Sequence, residues 1–172
     1  FKHSISDRFR EFARISSVHT RGVIDPVHLK YINSLSLTHS ENDLFFVHAS
    51  PSEPPAYSYV LDEVAASANF NSFTEKICFI GHSHRPVIFE STDSGVKIIP
   101  EGKLNKNNRY IINVGSVGQP RDSNNKLSFG FFDTIDFSYF NVRVNYDRVS
   151  ASIKIYKEGL PVYLAQRILE GK

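Results

Sequence analysis

The chain has 172 residues, of which 41% are apolar and 22% charged, values of an ordinary folded domain that exclude a disordered tail. Twenty Lys and Arg face 18 Asp and Glu, a net charge of +2, which is too balanced to indicate nucleic-acid binding. No run approaches ~18 consecutive apolar residues, so no transmembrane helix and no membrane partner are expected.

Ser4 to Ile15 reads as a helix, with Ser4 and Asp7 resembling a capping box and Ile5, Phe9, Phe12 and Ala13 on one face. Asp25-Pro26 is a start signal, N-cap followed by Pro in the first turn, for a helix that carries Leu29, Ile32 and Leu35 to about Leu37. Leu44-Phe45-Phe46-Val47 reads as a buried strand ending in His48. The Pro- and Ser-rich segment from Ala49 to Ser58 is a loop. Tyr59 to Ala68 predicts a short helix, and Ile77-Cys78-Phe79-Ile80 a second buried strand.

Hairpins dominate after that. Val87–Glu90 and Val96–Ile99 are joined by the turn signal Thr92-Asp93-Ser94-Gly95. Arg109–Val114 is a strand that runs into a loop from Gly115 to Pro120. Ser128–Ile135 and Ser138–Tyr146 are aromatic-rich strands around a tight turn. Ser150–Lys157 fits strand and helix equally, and Leu160-Pro161 opens a last helix with Leu164, Ile168 and Leu169 on one face. Early interleaving of strands with helices, followed by hairpins, predicts an α/β layered fold with mixed sheets.

Cys78 is the only cysteine and sits in an apolar strand, so it reads as a buried, inert thiol. Lys103, Lys106 and Arg109 lie among Asn and Gly and read as a solvated loop. The default compartment is a reducing cytoplasm. The sequence contains no Met and starts at Phe1, from which residues 1–172 are expected to be one incomplete domain.

Three of the seven histidines share a pattern. His48 ends one buried strand, and His82 and His84 follow the other as Gly81-His82-Ser83-His84. In open α/β sheets ligands bind outside the carboxyl ends of strands. Neutral imidazole is a common ligand for zinc, iron, manganese and nickel, and residues two apart in an extended segment point the same way, so His82 and His84 are expected to converge. Three imidazoles can hold a zinc ion with an open position but bring no negative charge. His3, His19, His28 and His39 lie in helical or loop contexts and read as surface or packing residues.

Phe46-Val47-His48-Ala49-Ser50-Pro51 resembles the strand-end V-H-G/A-S-P element of calcineurin-like metallophosphoesterases, and Gly81-His82-Ser83-His84-Arg85-Pro86 resembles their G-H-T/S-H-x-P element. Asn113 to Asp122, read as N-V-G-S-V-G-Q-P-R-D, resembles a loop of the smaller bacterial and archaeal branch, with Val114 where Pro is frequent. Gly159-Leu160-Pro161 leading into Ile168-Leu169-Glu170-Gly171 continues the likeness. The resemblance implies a layered α/β/β/α sandwich with a dinuclear metal site at the strand ends. It implies that His48 and His82 ligate one ion and His84 the other, both drawn from manganese, iron, nickel or zinc. It further implies a bridging hydroxide and hydrolysis of a phosphomonoester or phosphodiester, whether of a small molecule or a phosphoprotein. Gly115, Ser116 and Arg121 would contact the phosphate. The alternative is that this loop only shapes a turn, with Asp122 pairing Arg121.

Other elements of the family are absent. Asp-x-His, Gly-Asp-x-x-Asp and Gly-Asn-His-Asp do not occur, and Asp25 to His28 is one residue too long for the first. The bridging Asp, the Asn ligand and the His expected as general acid are therefore missing, no catalytic residue is assigned in this chain, and the isolated chain is expected to be inactive. The expectation is that these motifs lie before Phe1. Two other readings stay open: a catalytically inactive member acting as a protein-interaction scaffold, as a retromer subunit of this fold does, and a stand-alone three-His zinc protein.

Overall fold

Asp25 starts its helix as the sequence suggests: its carboxylate accepts the Val27 N–H at 2.8 Å, and Pro26 occupies the first turn, where a missing N–H costs nothing. In this computed structural model residues 5–172 are described, with side chains from Arg10 onward; the proposed Ser4–Asp7 cap and the Ile5 and Phe9 side chains lie outside that range. The chain divides into two units.

The first unit joins the chain up to Ser36 with Asp147–Leu169 and is helical. It contains α1 (Ile5–Val23), α2 (Pro26–Ser34), α4 (Arg148–Lys157) and α5 (Val162–Glu170). α1 runs two turns past the expected end. Phe12, Ile15, Ser16 and His19 are its partly covered residues, spaced i, i+3, i+4, i+7, while Ala13 is exposed. Phe12 stacks on Tyr163 of α5 with ring centroids 5.4 Å apart. α2 stops three residues early and leaves Ile32 and Leu35 exposed. The ambiguous segment after Ser150 is helix, because Asp147 caps it by accepting the Ser150 N–H at 2.9 Å. In α5 Ala165 and Ile168 are buried, Tyr163, Leu164 and Arg167 are partly covered, and Leu169 is exposed.

The second unit, Leu37–Tyr146 with Glu170–Lys172, carries the sheets. The larger sheet contains β1 (Thr38–Glu41), β2 (Leu44–Val47), β3 (Ile77–Ile80), β4 (Val87–Thr92), β5 (Gly95–Ile99) and β7 (Arg109–Asn113), in the order β1-β2-β3-β7-β4-β5. β2, β3 and β7 run parallel and the remaining pairs antiparallel. The smaller sheet is β6 (Gly102–Lys103), β9 (Ser138–Val144) and β8 (Leu127–Asp133). Both are mixed or antiparallel α/β architecture of the kind expected.

Alternation along the strands sorts the core into two layers. Cys78, Ile80, Phe89 and Ile111 face Ala66 of α3 (Glu63–Asn69) together with Phe70 and Phe73. Ile77, Ile88, Tyr110 and Ile112 face Leu104 and Tyr139, on the side of the smaller sheet. Phe79 lies 5.9 Å from Phe132 and 6.2 Å from Tyr139 by ring centroids, which joins the two sheets. Burial pushes the Cys78 thiol well up, in keeping with an inert thiol.

Two local expectations are corrected. α3 begins at Glu63, not Tyr59, because Asp62 is the cap and accepts the Ala65 N–H at 2.8 Å. Lys103 and Arg109 belong to strands, and Arg109 is no solvated charge. Its guanidinium donates to the carbonyls of Phe70 (2.9 Å), Phe73 and Glu75 (3.2 Å) and lies 4.5 Å from the Phe73 ring centroid.

Candidate metal centre

Parallel pairing of β2 with β3, from Leu44↔Ile77 to Phe46↔Phe79, brings the residues after both strands out side by side. The Gly81 N–H donates to the His48 carbonyl at 2.9 Å just beyond the last pair. β7 lies parallel on the other side of β3, with Asn113 opposite Ile80. The loops after β2, β3 and β7 therefore leave one end of one sheet together.

His48 and His82 meet there. His48 Nε2 and His82 Nδ1 are 3.2 Å apart. Two nitrogens bound to one ion at about 2.0–2.1 Å stand about 3.0–3.4 Å from each other, so the pair has the spacing of neighbouring ligand atoms. The His82 ring also hydrogen-bonds the Tyr57 backbone. Tyr59 stacks on it with centroids 4.3 Å apart and planes 22° from parallel.

His84 does not join this pair in one three-residue group, although His48 and His82 both act on its pKa. Both His82 (φ 61°) and His84 (φ 58°) have left-handed backbone, uncommon for residues other than glycine, so the extended geometry that would aim them together is not formed. The His84 Nδ1–H is directed to the Gln119 carbonyl at 2.7 Å, which leaves Nε2 as the lone-pair nitrogen, the arrangement typical of a metal-ligating imidazole. Among the described residues no three His, Cys, Asp or Glu side chains converge as a metal-binding group.

Electrostatics keep both rings neutral. Burial lowers the His82 pKa, and His48 and Arg121 lower it further against the hydrogen bond to Tyr57. Burial likewise lowers that of His84, opposed by its bond to Gln119 and aided by Arg121. Neutral imidazoles fit a divalent ion of the zinc, manganese, iron or nickel group, and the Gln119 carbonyl fixes the tautomer of His84. They amount to a share of a coordination shell, since among the described residues no carboxylate stands with them to balance the charge or bridge two ions.

The loop after β7 is bolted to this region. The Arg121 N–H donates to the His84 carbonyl at 3.2 Å, and Arg85 Nε donates to the Arg121 carbonyl at 3.0 Å. Gly115 is buried and its N–H is taken by Asn113 Oδ1 at 3.0 Å. The Ser116 hydroxyl accepts the N–H of Gln119 at 3.0 Å. Arg121 is half-buried and donates through Nε (3.1 Å) and Nη2 (2.8 Å) to Gln119 Oε1. Asp122 does not pair with Arg121; it pairs with Arg143 of β9, because the strand carries that guanidinium under the loop.

Asn113 and Gln119 stand in the Asn113–Asp122 motif without a role of their own assigned there, and Tyr57 and Tyr59 carry no signal in the sequence. Asn113 reads as the end of a strand and Gln119 as a loop residue, and Gln119 holds His84 by its backbone. Tyr57 and Tyr59 sit in a Pro-rich loop, where nothing in the residue types announces a stack on a histidine 23 positions away.

None of the known family models matches the sequence. An uncharacterized protein of Methanocaldococcus jannaschii is 38% identical to this chain, over 96% of this chain and 69% of its own length. The crystal structure of a metallophosphoesterase from Sphaerobacter thermophilus superposes with a TM-score of 0.83 at 31% identity, covering 93% of this chain and 69% of that one. A hypothetical protein of Pyrococcus horikoshii OT3 shares the fold at a TM-score of 0.64 and 17% identity, over 83% of this chain and 54% of its own. Among the described residues no helix is long and apolar enough to cross a membrane. A likeness of fold and sequence that runs through nearly all of these residues makes this chain a member of the calcineurin-like metallophosphoesterase superfamily.

Proposed function

We propose that this chain provides the histidine share of a metal-dependent phosphoesterase that hydrolyses phosphomonoesters or phosphodiesters. The observation that carries the reading is the 3.2 Å approach of His48 Nε2 to His82 Nδ1 at the ends of two parallel strands, in a chain similar to a metallophosphoesterase over 93% of its residues. His48 and His82 would hold one divalent ion, and His84, through the nitrogen not engaged with Gln119, a second. When bound, such ions supply Lewis-acid activation of water and of the phosphoryl group.

The chain's own residues do the rest of the work assigned to it. The Tyr57 hydrogen bond and the Tyr59 stack fix the His82 ring, and the Gln119 carbonyl fixes His84. Arg121, steadied by Gln119, brings a positive charge whose field reaches both His82 and His84, a suitable partner for phosphate oxygens. Ser116 is a weaker candidate for the same role. Gly115 acts through its shape, because its N–H is already spent on Asn113.

The test is hydrolysis of p-nitrophenyl phosphate and bis-p-nitrophenyl phosphate by the intact gene product, with manganese, iron, nickel and zinc in turn. His82→Ala and His84→Ala should each lower the metal-stimulated rate by at least ~100-fold, as loss of a ligand costs no less than loss of its hydrogen-bonded support. Unchanged rates in both variants would overturn the assignment.

A further inference from the structure

Tyr57 and Tyr59 flank the histidine pair and remain 45% and 50% exposed. The Tyr59 ring covers one face of His82 at 4.3 Å. The Tyr57 ring lies 6.0 Å from both His48 and His82 by centroids. Four rings thus meet at the end of β2 and β3, and the two on the outside present large apolar faces to solvent.

The loop that carries them is built to hold still. Pro51, Pro54 and Pro55 restrict it. Buried Asn69 of α3 accepts the Ser50 hydroxyl at 2.6 Å and the Ser52 N–H at 3.0 Å. The Ser50 N–H donates to the Ser58 carbonyl at 3.1 Å and closes the loop's neck. Tyr57 is fixed in left-handed backbone (φ 52°), a conformation that bulky residues seldom take and that persists only where surroundings enforce it. A rigid loop that displays two tyrosines next to imidazoles and the Arg121 charge is a pre-organised receptor for a flat ring attached to an anion.

We propose that Tyr57 and Tyr59 form a stacking platform that selects phosphate esters whose alcohol part carries a planar aromatic group. This rests on the phosphoesterase reading above, since the phosphate must sit at the histidines and Arg121. The ring then lies on the outer face of Tyr59 with Tyr57 at its edge. Phosphate esters of small aliphatic alcohols gain no such contact and are poorer ligands.

Phosphonates test this without turnover, because their carbon–phosphorus bond is not hydrolysed. Binding of methylphosphonate, phenylphosphonate and the methylenephosphonate isostere of adenosine 5′-monophosphate to the intact, zinc-loaded gene product is measured by calorimetry. An aromatic ligand should bind about tenfold or more tighter than methylphosphonate, in line with base–aromatic stacking. Preference for the phenyl compound identifies an aryl ester, and preference for the adenosine compound a nucleotide. Tyr59→Ala should weaken the preferred aromatic ligand about tenfold more than it weakens methylphosphonate, whose binding suffers only from the lost support of His82, while Tyr59→Phe keeps the aromatic advantage. Equal binding of all three, with loss on Arg121→Ala, overturns the platform and leaves the phosphoesterase reading standing. Equal loss of all three in Tyr59→Ala also overturns it, because Tyr59 then serves only to hold His82. Binding of none overturns both.

Discussion

The side-chain amide of Asn113 donates to the Gly81 carbonyl at 2.5 Å, across the gap between β7 and the loop that carries His82 and His84. The same nitrogen donates to Ser83 Oγ at 2.8 Å, and the amide oxygen accepts the Gly115 N–H. One buried amide therefore holds two site loops in register with each other.

Asn113→Ala removes a donor and an acceptor and leaves the Gly81 carbonyl and the Gly115 N–H without this partner. The Gly81 carbonyl keeps the Ser83 N–H at 2.7 Å, so the buried group stranded is the Gly115 N–H, at about 1–3 kcal/mol, and urea unfolding should show a loss of that size. Asn113→Asp should be no better, because a carboxylate would face the Gly81 carbonyl. Stability equal to the parent in both variants would show that the amide is not the bolt.

Gly115 carries a second constraint, in shape. Its φ is +82°, and an added Cβ would stand 2.2 Å from Ser128 Oγ and 2.8 Å from Pro86 Cγ. Gly115→Ala should therefore destabilise by about 2 kcal/mol or more. The double variant with Ser128→Gly relieves the collision with Ser128 but neither the contact with Pro86 nor the left-handed backbone, which costs about 1–2 kcal/mol for an alanine. The double-mutant cycle should be non-additive; strictly additive losses would count against the packing described.

Arg109 should resist replacement by lysine. Its fork serves three carbonyls, those of Phe70, Phe73 and Glu75, while its plane lies over Phe73. An ammonium cannot repeat that planar geometry. Arg109→Lys and Arg109→Met should both lower stability by about 2–4 kcal/mol, measured by thermal unfolding. Full stability of the lysine variant would mean that charge alone matters there.

A buried network in the same sheet predicts two limbs of pH dependence. Glu90 accepts from Asn108 and Tyr110 at 2.8 Å each and from Lys97 at 3.1 Å. Burial raises its pKa, but those hydrogen bonds and the Lys97 charge together outweigh it, and the pKa ends below 4.5. The ionised form favours the fold, so this stability is present above pH 4.5 and is lost as pH falls through the lower folded value. Tyr110 goes the other way: burial and the Glu90 bond push it from 10.0 up to about 12. Its neutral form favours the fold, so stability is fully present below pH 10 and declines as pH rises toward 12, by on the order of 2–3 kcal/mol. Tyr110→Phe should flatten the alkaline limb of stability against pH, and an unchanged limb would show that another group titrates there.

These relationships mark where sequence reasoning reaches and where it stops. The strands ending in His48 and before His82 are short apolar runs that break into Pro or Gly, so they and their tips are legible one by one. β1, read as Thr-His-Ser-Glu, is polar and almost wholly exposed, and β6 has two residues, so neither shows a pattern. Asp147 is a helix cap whose signal stands in the sequence, and it decides the segment after Ser150 for helix. Asn113 on Gly81, Asp122 on Arg143 and Tyr59 on His82 join residues 32, 21 and 23 positions apart. Only the folded sheet brings such pairs together. The left-handed turns at His82 and His84 also belong to the packing, since Ser83 between them is buried and takes the Asn113 bond.

Metal binding by the 172-residue chain follows from the same geometry. His48 and His82 offer two nitrogens 3.2 Å apart, His84 is turned away to Gln119, and no third ligating residue joins the pair among the described residues. A complete structural zinc site yields roughly 10–16 kcal/mol; two imidazoles without a carboxylate should fall short, with a Kd weaker than about 1 μM, or about 8 kcal/mol. Calorimetry at neutral pH reads this directly. His82→Ala should abolish the residual binding, and His39→Ala, on the exposed strand β1, should leave it intact. Protons compete for the same nitrogens, so affinity should fall as the pH is lowered. Sub-micromolar zinc binding would mean that this chain alone completes a site, and the three-histidine zinc protein would then replace the phosphoesterase share as the better reading.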